Sequence, residues 1–140
     1  MYLNELPREN ITDFFNLAHT LMCSDGKVDE KENLALQGYV KEFGLEEMPE
    51  FQKVDYAETL KKMNTLSYKI KIEIFFELMS LAYIDTEFAF EERTMLEKVA
   101  EEFGIEKEKC DKIEDITKRL LKIYEELEEI FEDNKAQERL

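Results

Sequence analysis

Apolar residues along this chain recur at steps of three and four, the period of a helix rather than of a strand. The first run, Phe14, Leu17, Ala18, Leu21 and Met22, makes one face of a helix expected from about Asn10 to Ser24. Asn10 is its expected cap, and Asp13 sits favourably near the positive helix end. Asp25-Gly26 breaks it, since glycine tolerates the left-handed backbone that ends helices. Asp29 and Glu32 have the Asp-x-x-Glu spacing of a capping box and open a second helix. Leu34, Leu36, Tyr39, Val40 and Phe43 carry its apolar positions, and Gly44 stops it. After a connector over 45–54 that contains Pro49, Asp55 and Glu58 repeat the capping spacing and start a short helix ending near Asn64. Ser67 caps the next helix, about Tyr68 to Ile84. Its apolar residues, among them Ile70, Ile74, Phe75, Leu78 and Leu81, lie all round and predict a central, buried helix. A further helix covers about Phe90 to Phe103 and ends at Gly104.

The last helix begins near Asp111 and persists past Phe131, before a polar tail over 132–140 that frays. Ile113, Ile116, Leu120, Ile123, Leu127 and Ile130 alternate steps of three and four, the heptad spacing of a coiled-coil seam. Leu121, Tyr124 and Phe131 widen the stripe. Packing on its own domain is therefore the expectation, with a homodimer through this helix as the alternative.

Shifted by 60 residues, the chain matches itself. Phe15 falls on Phe75, Leu21 on Leu81, Asp25 on Asp85, Glu32 on Glu92, Leu36 on Leu96, Glu42 on Glu102, Phe43-Gly44 on Phe103-Gly104 and Glu46 on Glu106. These are 9 identities in the 32 positions from 15 to 46, without a gap, where chance would give roughly two. Each copy reads as helix, acidic loop, helix, glycine stop. In the second copy Gly26 becomes Thr86 and Asp29 becomes Ala89, while the Asp and Glu are retained. The expected fold is all-α, a single helical bundle of about six or seven helices. It contains repeat one over about 10–46, repeat two over about 70–106, related by a pseudo-two-fold, and a C-terminal helix over about 111–133.

Composition narrows the function classes. A length of 140 residues fits one domain with a core of its own. Four Gly and two Pro are too few for the many tight turns of a strand-rich fold. The net charge of −15 repels phosphate backbones and anionic lipid, so nucleic acid is not an expected partner. Cys23 and Cys110 stand far apart and belong to no CxxC pair, which fits a reducing cytoplasm. No segment has the apolar length of a signal peptide core or a membrane span.

The candidate chemistry is sparse. Asp25 to Glu32 fits the second half of an EF-hand loop, but the first and third ligand positions would be Leu21 and Cys23, which carry no carboxylate. His19 and Cys23 share a helix face at zinc-ligand spacing, yet the chain has no second His. Lys61, Lys62, Lys69 and Lys71 form one basic stretch, read as a solvated face with anion docking as the alternative. No nucleophile–base set is visible, so an enzyme is not expected. Asp25, Glu32, Asp85 and Glu92 are the candidate metal ligands. Capping alone explains their spacing; the alternative is an all-oxygen set for Mg²⁺, Ca²⁺ or Mn²⁺.

The run Leu21-Met22-Cys23-Ser24-Asp25-Gly26-Lys27-Val28-Asp29-Glu30-Lys31-Glu32, followed by an apolar helix and Phe43-Gly44-Leu45, resembles the TerB-like family. That family is named after a tellurite-resistance protein, and a related domain occurs in a DnaJ-type co-chaperone. Leu81 to Asp85, Glu92 and Phe103-Gly104-Ile105 look like the partner repeat. The resemblance spans roughly residues 10 to 131. It implies a helical bundle, a role in stress response and no established catalysis; the leading expectation is a non-enzymatic module that acts by binding a protein partner. It also implies a divalent-metal role for the matching positions Asp25, Glu32, Asp85 and Glu92.

Overall fold

The computed structural model describes residues 2–23, 30–50, 55–84 and 90–138, with side chains through Asp133. Among them are a short 3-10 turn, Arg8–Asn10, and six α-helices: α1 (Ile11–Met22), α2 (Glu30–Glu42), α3 (Tyr56–Met63), α4 (Tyr68–Ile84), α5 (Phe90–Phe103) and α6 (Lys107–Glu138). The described residues contain no strand. The fold is an all-α bundle.

Local chemistry sets most of the boundaries. Asp55 caps α3, its side chain accepting from the Ala57 N–H at 3.0 Å. Ser67 caps α4, its Oγ accepting from the Ile70 N–H at 3.3 Å. α2 and α5 both stop in a six-residue C-terminal motif. Gly44 and Gly104 take φ of +67° and +68°. The Leu45 N–H then reaches back to the Val40 carbonyl at 3.0 Å, and the Ile105 N–H to the Ala100 carbonyl at 2.9 Å. This double closure satisfies carbonyls that a helix end leaves bare, and it needs the left-handed residue that glycine supplies without penalty.

Three boundary expectations are corrected. Asn10 does not cap α1 through its side chain; its amide donates to Asp13 Oδ2 at 3.1 Å, while the 3-10 turn leads the chain into the helix. α6 begins four residues earlier than expected, at Lys107 rather than Asp111, because Ile105 already closes the preceding motif and the chain turns at once. It also stays helical to Glu138 instead of fraying after Phe131. Leu34, expected on the apolar face of α2, is exposed. The inward face of that helix runs through Glu32, Leu36, Tyr39 and Val40.

α4 is central, packing against α1, α2, α5 and α6. Its Ile74, Phe75, Leu78, Leu81 and Ala82 are buried, as are Phe14, Leu17, Leu21 and Met22 of α1. Phe14, Phe15, Tyr39 and Phe43 make an aromatic cluster that joins α1 to α2, with the Phe14 and Tyr39 rings edge-on at 5.0 Å. The segment before the first turn contributes Leu3 and Leu6 to the same core.

The 60-residue repeat is visible in the elements. α2 begins at Glu30 and α5 at Phe90, each ends at its glycine motif, and Glu32 and Glu92 are both buried third residues of their helices. Thr20 donates to the Asn16 carbonyl at 2.7 Å, and Ser80, at the matching position, to the Phe76 carbonyl at 3.0 Å.

Candidate functional site

The predicted acidic set divides. Glu32 and Glu92 lie in the first turns of α2 and α5, where the positive helix ends favour a carboxylate. Both are nearly fully buried, at 4% and 6% exposure, unusual for a glutamate outside a specific role. Asp25 and Asp85 lie outside the described residues, as does the expected cap Asp29. Among the described residues no three His, Cys, Asp or Glu side chains gather in a metal-binding arrangement.

The other candidates resolve into local structure. His19 Nδ1 and Cys23 Sγ lie 3.3 Å apart, a contact within one helical turn. Leu21, which an EF-hand would need as a ligand position, is fully buried in the core. Three of the four lysines in the basic stretch are engaged within the chain. Lys62 pairs with Asp13 at 3.3 Å, Lys69 with Glu5 at 3.1 Å, and Lys71 donates to Asn64 Oδ1 at 2.7 Å. That pairing favours a solvated structural face over an anion dock.

A cavity of 370 Å³ opens between α4, α5 and α6, floored by Phe75, Met79, Leu96, Ala100 and Ile105. Arg93 and Glu114 stand at its rim. The guanidinium makes two bonds to the carboxylate, at 3.1 and 3.3 Å, and the Tyr83 hydroxyl donates to the same carboxylate at 3.1 Å. Burial works against ionisation of Glu114, but the bonds from Arg93 and Tyr83, with the positive charges of Arg93 and Lys118, outweigh it and hold the carboxyl below its ordinary range. Cys110 also lines the cavity. Burial, then the neighbouring Asp111 charge, push its thiol up, so it is protonated at neutral pH and a poor nucleophile.

A buried polar pair lies outside the residues that the sequence pattern singles out for chemistry. Glu77, on the central helix, is 4% exposed. It accepts a short hydrogen bond from the Tyr39 hydroxyl and another from the Tyr2 N–H at 3.1 Å. The 60-residue shift places Leu17 at the position of Glu77 and Val99 at that of Tyr39, both fully buried. The polar pair thus takes one residue from each repeat, and the two matching positions are both apolar. The signal in the sequence is a glutamate within the mostly apolar stretch from Ile74 to Ala82.

Six of the ten exposed large apolar side chains among the described residues are on α6. Cys110, Ile113, Glu114, Thr117, Leu120 and Leu121 are buried or half-buried. Lys118 lies near the end of α4, its ammonium 5.7 Å from the Tyr83 ring centre. From Lys122 through Asp133 every side chain is exposed. α6 has 32 residues against 17 in α4, or about 48 Å against about 25 Å. Its outer half therefore projects past the bundle. The stripe expected to pack on its own domain does so only through its first turns. Ile116, Ile123, Tyr124, Leu127, Ile130 and Phe131 are exposed, the last two by 56% and 57%. Among the described residues the bundle ends before α6 does, so none of them packs on its outer turns.

Comparison with known protein families, curated proteins and solved structures finds no match. Among the described residues no helix is long and apolar enough to cross a membrane.

Proposed function

We propose that this chain is a non-enzymatic, TerB-like helical module of a stress response, and that it acts by binding a protein through α6. The observation that carries this reading is the row of six large apolar side chains left exposed on a helix that outruns its bundle. Isolated exposed apolar residues need no explanation, whereas an aligned row marks an interaction surface. Helix-to-helix recognition uses such rows at heptad spacing. The stress-response assignment rests on the resemblance around Asp25-Gly26 and Phe43-Gly44.

The test is genetic and structural together. Cells carrying Leu127→Glu with Ile130→Glu should be as sensitive to tellurite as cells lacking the gene. The purified variant should keep the helical circular-dichroism spectrum, because neither side chain supports the core. Full tolerance in the variant, with sensitivity in the deletion, would dismiss α6 as the working surface. Unchanged tolerance in the deletion would dismiss the stress assignment.

A second reading is favoured by the matched burial of Glu32 and Glu92. If the two repeats are related by a two-fold, these residues and Asp25 and Asp85 form a cytoplasmic sensor or buffer site for Mg²⁺, Ca²⁺ or Mn²⁺. Such a cation would raise the melting temperature, as any ligand of the native state must, and Asp25→Asn with Asp85→Asn would abolish the rise. No shift beyond that produced by monovalent salt would exclude the site.

A further inference from the structure

The charges beside the exposed row of α6 are segregated along the helix. From Ile116 through Tyr124 there are three basic residues, Lys118, Arg119 and Lys122, and no acid. From Glu125 through Asp133 there are six acidic residues and no base. All these charged side chains are exposed; Lys118 and Arg119 also pair along the helix with Glu114 at 4.0 Å and Asp115 at 3.0 Å, i,i+4 pairs that leave their outer sides open. On a chain of net charge −15, a cationic stretch directly beside an unpartnered apolar row is a specific feature. The occupant of this face must carry apolar residues at heptad spacing. Read in the opposite direction, it must also carry acids against 118–122 and bases against 125–133.

α6 itself is a helix of that description. Resting on the reading of α6 as a binding surface, we infer that α6 pairs antiparallel with α6 of a second copy of this chain, centred near Glu125. In that register Leu120 meets Ile130 of the second copy and Ile123 meets Leu127. Each cationic stretch then lies along the other copy's Glu128, Glu129, Glu132 and Asp133, the arrangement that charged flanks of a coiled coil use to set orientation. A parallel pair would place two sets of six carboxylates side by side, and like charges at such spacing repel. The antiparallel pair also sends the two bundles to opposite ends. The two net negative bodies are thereby kept apart, while Tyr124 and Phe131 flank the seam.

The test uses the full chain with Cys23→Ser and Cys110→Ser, to which Leu120→Cys or Ile130→Cys is added separately. Sedimentation equilibrium at micromolar to millimolar concentration should give a dimer for the wild type and a monomer for Leu127→Glu with Ile130→Glu. On oxidation, a mixture of the two cysteine chains should cross-link, and neither chain alone should. Self-cross-linking by Leu120→Cys and by Ile130→Cys would mean a parallel pair and overturn the inference. So would a wild-type monomer across the whole concentration range. If the chain is monomeric while Leu127→Glu with Ile130→Glu still abolishes tellurite tolerance, self-pairing fails and the α6 surface stands for a different partner. If that variant changes neither mass nor tolerance, both readings fail.

Discussion

Tyr39 and Glu77 show how one side chain can set the register of two helices. Burial first, then the charge and hydrogen bond of Glu77, push the Tyr39 hydroxyl far above its ordinary value. It therefore stays a donor at every accessible pH. A buried carboxylate depends on such donors, because taking a charge out of water is costly unless hydrogen bonds replace the hydration. Tyr39→Phe should accordingly destabilise the fold by about 1–3 kcal/mol, read from the urea midpoint, since the carboxylate stays buried with one donor fewer. The Arg93–Glu114 pair makes a milder, pH-dependent contribution. Glu114 is held below the value it has in an unfolded chain. The stability this adds is complete above the ordinary carboxylate pKa of about 4.3 and is lost as pH falls through the lowered folded value. Arg93 is half-exposed, so Arg93→Met should cost less than about 1 kcal/mol at neutral pH. The gap from the wild type should close on acidification; a gap constant with pH would mean that Arg93 contributes by packing alone.

At the scale of elements, the repeated unit is governed by its punctuation. Gly44 and Gly104 close α2 and α5 in the left-handed region, and a Cβ at either position would meet no atom within 4 Å. Gly44→Ala and Gly104→Ala should thus cost only the backbone penalty, about 1–2 kcal/mol each, with native helical content. A much larger loss would point to a contact beyond the backbone. These glycines, with Asp55 and Ser67, were legible in the sequence because capping is local chemistry. The start of α4 at Tyr68 and the end of α5 at Phe103 follow from it to the residue. What was not legible depends on tertiary neighbours. Leu34 has the right spacing for the inner face of α2 and still points to water. Leu3 and Leu6 lie in a segment with no period, yet they complete the core. Glu77 reads as an interruption of the apolar stretch from Ile74 to Ala82 until Tyr39 is seen beside it. The candidate acidic positions were half legible. The spacing picked out Glu32 and Glu92, and their burial needed the packed helices; Asp25 and Asp85 lie outside the described residues.

On the scale of the whole molecule, the apolar period of α6 says that one face seeks a partner but not which partner. Bundle dimensions decide that. α4 ends at Ile84 and the helices around it are shorter than α6, so the seam is intramolecular near Ile113 and unpartnered from Ile123 onward. A projecting helix with few buried contacts belongs to the least stable part of a native structure and opens readily by itself. Association would change that for these turns and leave the bundle as it was. The direct measurement is amide hydrogen exchange over residues 120–131, followed as protein concentration is raised, in the wild type and in Leu127→Glu with Ile130→Glu. Pairing through α6 predicts that these amides slow with concentration in the wild type alone, while those of α4 do not change in either chain. Exchange over 120–131 that is independent of concentration and identical in both chains would contradict it.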